Sequence, residues 1–548
     1  MKKNYSILLT ALGISFSICS VNAQTRYVDE ITQDVSVTSD VLYGTNIGIL
    51  TQSPAQEDLY MDVYQPSDDT ISNRPVVIIL HTGSFLPAII NGQPTGSKTD
   101  NAIVAMCEGF AKKGYVAIAL DYRLGWNPVS PSEDVRRSTL IQAAYRSLQD
   151  VKTAVRFLRK SVIEGENPYG VGDKIAVGGF GTGGYISLSL ATLNNYETEL
   201  LLPKFIDTSE ETIATFGQPM PYIIQEMLGN FEATDYGFVP IILEGDTVPT
   251  DVPFCIPNHV GYSSEIDMVF NAGGALPEIS WLEAGEVPIA SMQNIYDQDA
   301  PYAEGNVIVP TTGEFVIIAQ GSQLVQENAT EYGNNDIFSE LSTTITDSWY
   351  ENGNGAENAA VAGHSDLPGL FGIITPTPST TPTLCGLEAE QNAPWDWWDN
   401  ATYDAQASVY HGQDPGVMGC LALLGNPDMS EEKGLAYTNM LSEFFTPRVF
   451  AALNADGAIE SPILNAEELE IFDISIFPNP AKNELIISAN TEISMYELFD
   501  LTGKLVYNNM SVNSNSTTIY RNDLNSGLYL AKITDVNGNN MIRKIIFK

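Results

Sequence analysis

The sequence predicts an α/β fold, a mostly parallel sheet wound on both faces by helices, followed by a separate C-terminal all-β sandwich. Three observations carry this. Apolar runs such as Pro75-Val76-Val77-Ile78-Ile79-Leu80 alternate with helical patterns, and an unbroken apolar run is what a strand covered on both faces requires. The stretch from Lys174 to Leu193, KIAVGGFGTGGYISLSLATL, reads as strand, sharp glycine turn and helix. Beyond residue 471 the chain changes to short segments alternating at period two, with turns at Thr502-Gly503, Ser526-Gly527 and Asn537-Gly538.

In chain order, Lys2 and Lys3 precede an apolar run from Ile7 to Ile18, then Val21-Asn22-Ala23. That is the pattern of a secretory signal over residues 1–23, its apolar run too short to span a bilayer. The α/β domain is expected over 24–455. Leu59 to Pro66 alternates as a strand closed by proline. From Asn101 to Lys113, Ile103, Met106, Cys107 and Phe110 form one helical face, stopped by Gly114. Tyr115 to Leu120 is a second buried strand. Leu140, Ala144, Leu148, Val151, Val155 and Leu158 then mark a long helix. Residues about 195–262 read as an insertion, Ile266 to Phe270 and Val287 to Met292 as further strands, and 307–325 as strand-rich. Residues 331–398, rich in Asn, Gly, Thr and Pro, offer no strand that periodicity can place. A helical pattern from Ser430 to Leu453 ends the domain, and 456–470 is an acidic linker. In 471–548 seven acids balance seven bases, a composition break that marks a boundary.

At 548 residues the chain exceeds what one core supports. Its formal net charge of −42 lies upstream of residue 471 and repels nucleic acid phosphates and anionic lipid heads. No later run is long and apolar enough to span a membrane. After the signal four cysteines remain, without zinc-site spacing. Cys385 with Cys420 is a plausible disulfide in an oxidising compartment, and Cys107 reads as a buried thiol. No loop has the spacing of an EF-hand, so neither metal nor cofactor is expected.

DLYMDVYQP, the strand leading into HTGSF, GYVAIALDYRLG and the strand-turn-helix together resemble the carboxylesterase and lipase-like branch of the α/β-hydrolases, from about Asp58 to Leu193 and again from Ile266 to Tyr302. The resemblance implies a doubly wound hydrolase fold with the 195–262 insertion as a cap. It also implies a G-x-S-x-G elbow, here Gly179-Phe180-Gly181-Thr182-Gly183, so that Gly181 stands at the nucleophile position without a serine. Thr182 is the alternative nucleophile. Gly83, Ser84 and Thr182 would supply oxyanion-hole N–H groups. QNIYDQDAPY is similar to the family's H-G-x-x-D-x-x-V-P-Y, which puts the triad acid at Asp297, with Gln293 and Asn294 replacing His-Gly. His364 is the favoured base and His411 the alternative, because His259 precedes the acid. Two functions stay open: an exported hydrolase of carboxylic esters, small or polymeric, or an inactive relative that binds such a ligand.

Phe477-Pro478-Asn479-Pro480, Asp500-Leu501-Thr502-Gly503-Lys504, Leu524-Asn525-Ser526-Gly527-Leu528-Tyr529 and Arg543-Lys544 resemble the C-terminal sorting domain of type IX secretion substrates of Bacteroidota. This implies the type IX machinery as a partner and a secreted or surface location.

Overall fold

A computed structural model describes residues 25–50, 54–243, 246–309, 312–341, 367–374, 385–387, 392–457, 459, 474–500, 504–522, 524–536 and 540–548. These form two compact units, one on Gln24–Ile463 and one on Leu464–Lys548. The signal segment, His364 and nearly all of the 456–470 linker lie outside the described residues.

The first unit is built on eight strands: β1 (Val35–Gly48), β2 (Ala55–Pro66), β3 (Arg74–Leu80), β4 (Val116–Leu120), β5 (Val171–Phe180), β6 (Met268–Ala272), β7 (Ile289–Asn294) and β8 (Leu370–Ile373). Their order across the sheet is β1-β2-β4-β3-β5-β6-β7-β8. β1 and β2 are antiparallel to their neighbours, and every pairing from β4 to β8 is parallel. β3 is buried along its whole length, which explains its unbroken apolar run. Val76, Ile78 and Leu80 pack with Leu148, Val151 and Val155 of α2 (Glu133–Glu164) and Ile186 of α3 (Thr182–Thr192). Val77 and Ile79 face Met106 and Phe110 of α1 (Asn101–Lys112) and Phe444 and Phe445 of a late helix, Glu431–Leu453. Each such side chain contributes roughly 1.5–3 kcal/mol by leaving water.

Several expectations are revised. β1 had no counterpart in the sequence reading. β8 completes the sheet from within 331–398, where no strand could be placed. Residues 307–325 divide into a hairpin, Glu304–Ile308 with Phe315–Gln320, and the helix α4 (Ser322–Glu331). The 195–262 segment holds short helices and two small hairpins. Its Asn258 bonds Thr45 of β1, and its Gly229 carbonyl accepts from Tyr145 of α2. Cys385 and Cys420 form the disulfide, and Cys107 and Cys255 are buried thiols.

The second unit has six antiparallel strands centred on Glu484–Phe499. The first half of that strand pairs with Ile474–Phe477 and Ser514–Tyr520, and its second half with Leu505–Asn509 and Gly527–Asp535. Its alternating Leu485, Ile487, Tyr496 and Leu498 enter one core.

A buried ion pair fixes the loop after β4. Arg123 and Asp150 are both fully buried. Asp150 accepts from the Arg123 backbone N–H at 2.8 Å and from Nε at 2.9 Å, while the guanidinium also donates to the carbonyls of Ile47 and Arg146. Removing one partner strands the other charge, so Asp150→Ala should cost about 3–5 kcal/mol in urea unfolding. A loss below about 1 kcal/mol would contradict the clamp.

Candidate active site

The parallel strands end at a cavity of about 350 Å3. Three loops meet there: His81 to Phe85 after β3, the turn into α3 after β5, and Tyr296 to Ala300 after β7. The β3–β5 register places Leu80 opposite Gly179, so the first two loops are near neighbours. A Cβ on Gly183 would strike the backbone of Leu80, which requires glycine at the start of α3.

Gly181 has φ 51° and ψ −114° and donates its N–H to Ala272 O of β6 at 2.9 Å. Any side chain is strained in this backbone conformation, and here the space is also taken. A Cβ on Gly181 would overlap Thr82 Oγ1 and lie 3.0 Å from Thr82 Cβ. The Thr82 hydroxyl therefore fills the room in which a side chain at 181 would begin.

The loop carrying Thr82 is rigidly held. Gly83, Ser84 and Phe85 have φ of 117°, 53° and 54°. Asn91 Nδ2 donates to the carbonyls of Gly83 and Thr95, and Trp126 Nε1 to Ser84 O. Buried His81 stacks on Tyr122, centroids 4.3 Å apart; its Nδ1 lies 2.5 Å from Thr82 O and its Nε2 3.7 Å from Asp121 Oδ1. Gly83, Ser84 and Thr182 line the cavity, and no acceptor among the described residues takes their backbone N–H groups. Thr182 Oγ1 is 3.3 Å from Tyr122 Oη, which itself donates to His81 O.

Asp297 lines the cavity at the end of β7. Its Oδ1 accepts from the N–H groups of Asp299 and Ala300, at 2.9 and 3.0 Å. Burial, then the nearby Asp299 carboxylate, push its carboxyl well above the usual range. Gly273 lies close to both Asp297 and Trp395: a Cβ on it would sit 3.4 Å from Asp297 Oδ2 and 3.5 Å from Trp395 Cζ2.

The structure thus brings Gly181, Thr182, Gly83, Ser84 and Asp297 to one cavity and leaves His411 outside it. His411 ends the helix α5 (Asn400–His411), where its Nε2 lies 2.7 Å from Ile89 O. His259 bonds Tyr43 O of β1. No histidine is among the described lining residues, and none of the lining comes from 195–262. The expected cap is replaced by the Glu304–Ile308 hairpin and by residues 392–426. Sequence reasoning missed Thr82, Trp395 and Asp396; the run PWDWWD was visible but carried no periodicity that could place it.

Residues 61–237 match the BD-FAE family model, and residues 475–548 match that of the secretion system C-terminal sorting domain. Residues 61–237 thus belong to an esterase-like α/β-hydrolase domain. The sorting domain marks the chain as a type IX secretion substrate, secreted or held at the cell surface. No curated protein matches the chain. Similar solved structures include Thermogutta terrifontis esterase 2 phosphorylated by paraoxon, 16% identical over 57% of this chain and 83% of that one, TM-score 0.30. The butyrate-bound form of that esterase is 16% identical over 57% and 84%, TM-score 0.29. A truncated carbohydrate esterase from gut microbiota is 13% identical over 54% and 84%, TM-score 0.29. No helix among the described residues of the hydrolase is long and apolar enough to cross a membrane.

Two measurements test this geometry. If Thr82 fills the space at 181, Gly181→Ala should destabilise the native protein more than it destabilises a Thr82→Gly background. The double-mutant cycle should give a coupling of about 0.5–3 kcal/mol, and strict additivity would refute the overlap. Asp396, also on the cavity wall, is pushed up to about 8 by burial and by Asp100. The folded state then holds a proton that the unfolded chain releases near its ordinary carboxylate pKa of about 3.9, so this group makes the fold less stable as pH rises from about 4 to 8. Asp396→Asn should flatten the fall of Tm over that range; Asp100, pushed up to about 6, and Glu286, pushed up to about 8, retain part of the slope.

Proposed function

We propose that this exported protein is a pseudoenzyme, an esterase-fold binding protein that holds its ligand in the cavity without cleaving it. The carrying observation is that Gly181 has no side chain and the Thr82 hydroxyl fills the room where one would begin. Gly181 is assigned to the elbow position that the resemblance gives to the nucleophilic serine, and Asp297 to the position of the triad acid. The N–H groups of Gly83, Ser84 and Thr182 are the remnants of an oxyanion hole and serve as donors to a ligand carbonyl or hydroxyl.

Hydrolysis needs a hydroxyl whose proton an imidazole can take. Thr82 Oγ1 faces no described imidazole nitrogen, since both ring nitrogens of His81 are turned to Thr82 O and Asp121. Thr182 Oγ1 is engaged by Tyr122. No histidine is among the described residues that line the cavity with Asp297. These points weigh against the competing reading of an active carboxylic ester hydrolase.

Residues 1–23 are assigned as the signal peptide, 24–455 as the hydrolase-fold domain and 456–470 as the linker to the sorting domain at 471–548. The test is turnover of p-nitrophenyl acetate and butyrate by the purified protein. The expected rate is that of buffer alone. Turnover that disappears in Thr182→Ala, Thr82→Ala or His364→Ala would establish hydrolysis and refute the binding-only reading.

A further inference from the structure

Most deeply buried charges of the hydrolase unit have a partner. Arg123 is paired with Asp150, Lys98 with Asp62 at 2.8 Å, and Lys433 with Asp428 and with Asn426 Oδ1. Asp396 is the exception on the cavity wall. It is 8% exposed, and its backbone is fixed by its own N–H to Ala393 O and by Asn426 Nδ2 to its carbonyl. Its carboxyl meets no hydrogen-bond donor and no cation among the described residues. Asp396 is among the residues that line the cavity, where its carboxyl is available to an occupant.

The surroundings narrow what could satisfy it. No lysine, arginine or histidine is among the described lining residues, while Asp297 and Asp299 add two further carboxyls. Trp126, Trp395 and Trp398 also line the cavity. The indole N–H groups of Trp126 and Trp398 are already given to Ser84 O and Asn400 Oδ1, so these rings offer a ligand their π surface rather than a donor. Carboxyls without a protein counter-charge, set among aromatic rings, suit an organic cation. An anionic ligand would find no basic side chain among the described lining residues.

We propose that the cavity binds a ligand carrying an ammonium group, that Asp396 is its anion, and that the tryptophan rings cover its apolar part. This rests on the reading of the cavity as a ligand site and adds the chemical class of the ligand. The charged neighbour of Asp396 is Asp100, whose carboxylate accepts from the N–H groups of Gly96 and Ser97 and is influenced by His81. Lys433 bonds Asn426 Oδ1 and pairs with Asp428. In the free protein at neutral pH the Asp396 carboxyl keeps its proton. When the ammonium ion enters, the carboxyl ionises and the proton passes to buffer, so charge balances.

The test compares 2-phenylethylamine with 2-phenylethanol, matched in shape and different in charge, by titration calorimetry on the full chain in amine-free buffers. The expected result is that the ammonium compound binds about tenfold or more tightly than the alcohol, with proton release near pH 7 read from the dependence of the heat on buffer ionisation. Affinity should rise from about pH 6 to 8, and both the preference and the proton release should be lost in Asp396→Asn. Equal binding of the two compounds, binding of the alcohol alone, binding of neither, or an amine preference surviving Asp396→Asn with its proton release intact would each overturn the proposal. Ester turnover is measured separately, so failure of the binding-only reading shows there and not here.

Discussion

The close approach of the two loops that leave β3 and β5 is the constraint on which the site depends. Because the strands are parallel neighbours, Leu80 lies opposite Gly179, and the chain beyond each must fit a shared volume only a few atoms wide. Gly183 is needed for α3 to start against Leu80. Within that volume there is room for a side chain at 82 or at 181, and this chain places it at 82. The residues at 82 and 181 are thus coupled by packing, and a side chain added at 181 alone would contend with Thr82.

Much of the fold was legible because strands covered on both faces must be apolar throughout. β3 and β4 are fully buried, and their unbroken runs announced the parallel sheet. The helices flanking them were legible for the complementary reason, having one apolar stripe each. β8 was not, since its Leu370 to Ile373 is four residues long and sits in a glycine- and proline-rich stretch. β1 is an edge strand with an exposed first half, which leaves little periodic signal.

The site was only partly legible. Gly181, Thr182, Gly83, Ser84 and Asp297, named by the motifs that carry the resemblance, lie in loops that follow strands and line one cavity. The residues that alter the chemistry are read only in three dimensions. Thr82 matters through a contact across about a hundred positions of sequence, and Trp395 and Asp396 reach the cavity from a segment whose placement owes nothing to periodicity. Backbone bonds from Ala393 and Asn426 hold Asp396 in place, and the Cys385–Cys420 disulfide closes the loop around that segment.

The cavity's electrostatics bear on hydrolysis as well as on binding. Ester cleavage develops negative charge on the carbonyl oxygen and then releases a carboxylate, so a site for it needs donors at the oxygen and tolerance of an anionic product. The three backbone N–H groups meet the first need. The wall does not meet the second, since Asp297, Asp299 and Asp396 surround the space and no basic side chain among the described lining residues offsets them. Burial keeps Asp297 and Asp396 inclined to hold their protons, and a newly formed carboxylate would push them further that way. A cation reverses each of these terms, because it lowers the cost of ionising the same carboxyls. The occupied space beside Gly181 and the cluster of carboxyls on the cavity wall are therefore two independent features of one cavity, the first set by backbone packing and the second by burial.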